Sequence, residues 1–95
     1  MLIEEFWSVS TENIDLKAAQ VRAGRALLDL TQPELASAAG VGLSTLVDFE
    51  RSRRQVSAQS IRALRVALER AGVEFISENG GGPGVRLKTR TRHRK

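Results

Sequence analysis

Apolar positions recur every three or four residues over most of this chain, then alternate near its end. The helical period is sharpest in Gln32–Arg51, QPELASAAGVGLSTLVDFER, which reads as two short helices around a glycine turn. Thr31 stands three residues before Glu34, the spacing of a capping box, and Pro33 falls in the first turn. Leu35, Ala36 and Ala39 form one apolar face. Gly40 ends the helix, where a positive φ is cheap only without a Cβ. Val41 plugs the space under the turn, and Gly42 is a tolerable N-cap for a helix from Leu43 to Arg51. Leu46 and Phe49 face inward, leaving Ser44, Thr45, Val47, Asp48 and Arg51 outside. Ala36 must be small, because two helices joined by a short turn approach closely there. A helical hairpin in some other small bundle is the plainer alternative.

The same period predicts a helix over Leu16–Leu28, capped by Asp15 or Asn13. Its inward face is read as Leu16, Ala19, Ala23, Ala26 and Leu27, with Leu30 just beyond. Gly24 interrupts this helix, as a mark of close approach or as an accident. A further helix is expected over Ala58–Ala71, with Ser57 as N-cap and Val56 and Ile61 at staple spacing. Ile61, Leu64, Ala67, Leu68 and Ala71 form its stripe, and Gly72 stops it. The period then becomes two: Val73-Glu74-Phe75 and Val85-Arg86-Leu87 alternate around the turn-rich stretch Ser77–Gly84. This predicts a β-hairpin with a long loop. An isolated hairpin is marginal in water, so it must pack on the helices or pair with a second chain. The expected division is a loose segment over 1–14, a helical domain over 15–72, the hairpin over 73–88 and a basic tail over 89–95.

Composition narrows the function classes. Ninety-five residues suit one small domain. The absence of cysteine excludes a disulfide framework and a thiolate metal site. No apolar run reaches membrane-span length, and the N-terminus lacks a basic-then-apolar leader. The expectation is a cytoplasmic protein without a membrane role. Charge is uneven: residues 1–16 hold Glu4, Glu5, Glu12 and Asp15 with no Lys or Arg, whereas 86–95 hold six basic residues and no acid. A basic tail on a basic domain suits a polyanion, although a tail that merely aids solubility would look the same. The cluster Leu2, Ile3, Phe6 and Trp7 is expected to cap the domain or help a dimer contact, with a partner motif as the sharper reading.

Enzyme chemistry finds little support. The only histidine, His93, sits in the tail, and no His/Cys/acid cluster has metal-ligand spacing. Gly80-Gly81-Gly82-Pro83-Gly84 lacks the Lys-Ser/Thr and the helix that a phosphate loop needs. A non-enzyme without cofactor or metal is expected.

The string TQPELASAAGVGLSTLVDFE resembles the phage repressor/Cro type of helix-turn-helix, the XRE family. The similarity covers Leu16 to Ala71 and rests on Thr31, Gln32, Glu34, Leu35, Ala36, Gly40, Val41, Ser44, Thr45, Leu46 and Glu50. The tail GVEFISENGGGPGVRL resembles an extension found on many small bacterial members, for which no function is implied. The resemblance implies a mainly α, four-helix, lambda-repressor-like fold with a short C-terminal β-hairpin. It also implies a transcriptional regulator that binds double-stranded DNA, usually as a homodimer on a palindromic operator, in the bacterial nucleoid. By the same resemblance Gln32 touches a phosphate, and Leu43, Ser44, Thr45 and Asp48 reach base edges. Arg51, Arg53 and Arg54 run beside the backbone, and Arg25 and Glu50 form a buried structural ion pair. The chain departs from the family in a recognition surface poor in amides and basic groups. Readout then leans on DNA shape, or the fold serves a protein partner, as an antitoxin or antiactivator would.

Overall fold

The computed structural model describes residues 16–89. They form α1 (Ala18–Leu28), α2 (Gln32–Ala39), α3 (Leu43–Glu50), α4 (Ala58–Ala71), β1 (Val73–Ile76) and β2 (Gly84–Leu87). The expected mainly α architecture with a terminal antiparallel hairpin is therefore present.

Local chemistry explains most boundaries. At the start of α2, Thr31 Oγ1 accepts the Glu34 N–H at 3.2 Å, and the Thr31 N–H donates to Glu34 Oε1 at 2.9 Å. This reciprocal pair satisfies two of the helix's orphan donors. At its end Gly40 takes φ 72°. The Val41 N–H then reaches the Ala36 carbonyl at 3.1 Å, and the Gly40 N–H reaches Ser37 at 3.2 Å. These are the two bonds of a Schellman stop. Ser57 caps α4 by accepting the Ser60 N–H at 3.1 Å. Val56 and Ile61, both buried, clamp the chain's entry into that helix.

Leu35, Leu46, Leu64 and Leu68 are fully buried, and Ala36 is 4% exposed. α2 packs against α3 and α4, and the hairpin packs on α1 and α4. In the register Val73 opposes Leu87 and Phe75 opposes Val85, so these four share the face that meets the core. Glu74 opposes Arg86 on the other face, paired at 2.6 Å. The hairpin thus uses its apolar face within the chain.

α1 requires a correction. The expected inward row of Ala19, Ala23, Ala26 and Leu27 is exposed; Leu27 is 44% accessible. The buried row is Gln20, Val21 and Gly24. Leu16, just before the helix, is buried as expected, and Leu30, just beyond it, is half-buried against the core. Alanine offers little apolar area, so an alanine row drives burial weakly. Val21 and the hairpin contacts of Gln20 set the helix's rotation instead. The Gln20 amide donates to the Gly84 carbonyl at 2.8 Å, and its Oε1 accepts the Lys17 N–H at 2.9 Å. A polar residue thereby ties the helix start to the hairpin with its hydrogen-bonding capacity used. Helix α1 starts at Ala18 with Lys17 as N-cap. The expected caps Asn13 and Asp15, the apolar cluster of residues 2–7 and residues 90–95 of the tail lie outside the described residues. At the end of the α4 stripe, Ala71 is also exposed.

Gly24 sits where α1 meets α4 and the hairpin. A Cβ there would lie 3.6 Å from both Leu68 methyls and 3.8 Å from Phe75 Cζ, ordinary contact distances. The close approach is real, yet it leaves room for alanine. Gly24→Ala should stabilise the fold by about 1 kcal/mol through helix propensity. Thermal unfolding should show a rise of several degrees, roughly 4–8 °C per kcal/mol for a small domain. A lower melting temperature would mean that the contact is tighter than its geometry indicates.

Candidate nucleic-acid interface

Leu43, at 46% exposure, and Ser44 open to solvent at the start of α3, beside the half-buried Thr45. Asp48 lies one turn further along the same face. The other side of α3 is anchored by Leu46 and Glu50, both buried.

Glu50 is the fixed point of the site. Its Oε2 accepts Arg25 Nε at 2.8 Å, and its Oε1 accepts Arg25 Nη2 at 2.9 Å. Gln32 Nε2 donates to the same Oε1 at 2.9 Å. Arg25 Nη1 also donates to the Leu30 carbonyl at 3.0 Å, holding the connection between α1 and α2. The last residue of α3 is thereby bonded to α1 and α2 at once. The hydrogen bonds that Arg25 donates to Glu50 raise the Arg25 pKa above its ordinary value, against a smaller opposing effect of burial. A raised cation pKa contributes stability fully below the ordinary value and loses it only as pH climbs past the raised one. For an arginine that window lies far into alkali, so its charge is constant near neutrality.

Two features escaped sequence reasoning. Arg22 on α1 donates from Nη1 to the Glu50 carbonyl, placing a cation at the C-terminal end of α3. Its place three residues before Arg25, on a neighbouring helical row, was the one signal the sequence held. The second feature is the turn after α3. Ser52 adopts φ 54°, and the Arg53 N–H returns to the Asp48 carbonyl at 2.9 Å. This Schellman reversal folds the chain back along the helix without a glycine. Arg54 Nε then meets Asp48 Oδ2 at 2.8 Å, and Arg53 Nη1 lies 3.9 Å from Oδ1. Arg54 Nη2 also points at Thr45 Oγ1, 3.4 Å away.

The sequence-derived site residues thus fall into three groups. Leu43 and Ser44 stand exposed at the start of α3. Thr45, Asp48 and Arg54 form one hydrogen-bonded cluster, with the Arg53 side chain ion-paired to Asp48 at its edge and exposed Arg51 beside it. Gln32 turns its amide to Glu50, so its side chain serves the internal network in this structure. The cluster neutralises the one carboxylate on the recognition face and keeps a net positive charge. Among the described residues no group of three His, Cys, Asp or Glu could hold a metal, and no helix is long and apolar enough to cross a membrane.

Two helices around a Schellman turn, the second exposed and flanked by arginines, define a helix-turn-helix DNA-binding module. A helix-turn-helix family model matches residues 21–75, more than half of the chain. The chain belongs to this family, the Cro/C1 (XRE) type of DNA-binding regulator. No curated protein matches it.

Proposed function

We propose that the protein is a transcriptional repressor that binds a palindromic operator as a homodimer. Two α3 helices enter successive major grooves about 34–36 Å apart, one DNA turn. The observation that carries this reading is the exposed start of α3 beside the Arg51, Arg53 and Arg54 cluster. Arginines there grip phosphates, which sets affinity and register but not sequence. Leu43 touches a thymine methyl, Ser44 and Thr45 hydrogen-bond to base edges, and Asp48 accepts from cytosine N4 when Arg54 swings to a phosphate. With no amide on this face, DNA shape supplies much of the specificity.

The test is fluorescence anisotropy with a duplex from upstream of the gene, against a scrambled duplex, across a salt series. The reading expects tight, selective binding that weakens steeply with salt. Deleting residues 89–95 should weaken binding to both duplexes alike, because their basic side chains add non-specific affinity. Equal binding to both duplexes, or none, sinks the operator reading. The 46% exposed Leu43 on a face without amides would then favour the second reading, a protein-binding module of antitoxin or antiactivator type.

A further inference from the structure

A groove of about 450 Å³ opens between the start of α1, the end of α3 and the start of α4. Its walls include Leu16, Phe49, Val56 and Ile61, and Arg54 and Gln55 stand on its rim. Leu16 and Lys17, the first described residues, line this groove, so the preceding segment starts beside it. The fifteen residues before Leu16 contain four acids, no Lys or Arg, and the apolar side chains of Leu2, Ile3, Phe6 and Trp7. The groove matches both properties, with an apolar floor beside an arginine cluster.

The geometry points to the acidic N-terminal segment, residues 1–15, as the occupant of this groove, where it competes with DNA for the Arg51–Arg54 cluster. Trp7 and Phe6 cover the apolar walls, and the carboxylates of the segment pair with the arginines that would otherwise hold phosphates. Nine residues from Trp7 to Leu16 span up to about 30 Å when extended, ample to fold back over the groove. A cavity on the hairpin side is also lined by Leu16 and Lys17, but it carries Glu78 and a single arginine, Arg65, in place of the Arg51–Arg54 cluster; the groove between α2 and α4, lined by Val66, Arg62 and Arg70, lies away from Leu16. The competition rests on the DNA-binding reading; the docking does not.

The chain has one tryptophan and no cysteine, so a single reporter pair can be built into the full-length protein. A bimane on Gln55→Cys reports contact with Trp7 by quenching, and one on Gln59→Cys reports the α2–α4 groove. Docking predicts quenching at 55 and little at 59, independent of protein concentration and absent in Trp7→Phe. Adding duplex DNA should relieve the quenching. Phe6→Ala, which changes no charge, should relieve it too and tighten duplex binding roughly threefold to tenfold, the yield of a few weak exposed pairs. Quenching at 59 instead, or at neither position, overturns the docking. So does quenching at 55 that grows with concentration, which would assign the groove to a second copy. Quenching at 55 in a protein that binds no duplex would uphold the docking and overturn the competition.

Discussion

Replacing Glu50 by leucine should cost about 3–5 kcal/mol, because it strands a guanidinium held by two charged bonds. Arg25→Met should cost a similar amount by leaving a 2% exposed carboxylate with Gln32 as its remaining side-chain donor. A small domain has roughly 5–15 kcal/mol in total, so either variant stands near its unfolding threshold. The double variant Arg25→Met/Glu50→Leu should recover a large part of the loss, since two apolar side chains of similar volume leave no buried charge. Recovery stays incomplete. The Gln32 amide and the Leu30 carbonyl lose partners, at about 1–3 kcal/mol for each group left buried and unpaired. Urea unfolding of all four proteins closes the cycle. If the double variant is no more stable than either single one, the pair does not act as a unit. The network also fixes α3 against α1 and α2, so DNA affinity should fall in the single variants even where they remain folded.

What could be read in advance depended on how each element is punctuated. α4 was legible to the residue because Ser57 and Gly72 stop it at both ends. The end of α2 was legible because Gly40 marks the left-handed position. Two other helices end with the same geometry on other residues: Asp29 at φ 58° after α1 and Ser52 at φ 54° after α3. A left-handed Asp or Ser carries no comparable signal, since both are common in every kind of loop. That one hidden turn at Ser52 decides the site, because it brings Arg53 and Arg54 back onto Asp48. Without it the arginines read as a separate strip leading away from the helix. The rotation of α1 failed for a different reason. Hydrophobic periodicity weighs Ala and Leu27 above Gln20 and Gly24, yet burial followed hydrogen bonding and close approach. The hairpin's inner face was legible from alternation alone, whereas its attachment through the Gln20 amide was not.

Converting Arg51, Arg53 and Arg54 together to glutamine should weaken binding to every duplex, at moderate salt by about two orders of magnitude. Removing one phosphate-binding cation flattens the plot of log affinity against log salt by about 0.9, so removing three should flatten it by about 2.7. Selectivity between operator and scrambled duplex should persist, because phosphate contacts carry register rather than sequence. The three positions should not contribute equally. Arg51 is exposed beside the cluster, and its replacement should remove a single phosphate partner. Arg54 also neutralises Asp48, so Arg54→Gln removes a cation and bares a carboxylate on the face that meets the phosphates. It should therefore cost more than Arg51→Gln, and adding Asp48→Asn should restore the difference. Circular dichroism would check that the helices remain, as expected for exposed side chains away from the core. A weakening confined to the operator duplex would make these arginines base readers. Equal effects at Arg51 and Arg54, with no rescue by Asp48→Asn, would mean that the Asp48–Arg54 pair dissolves before DNA arrives.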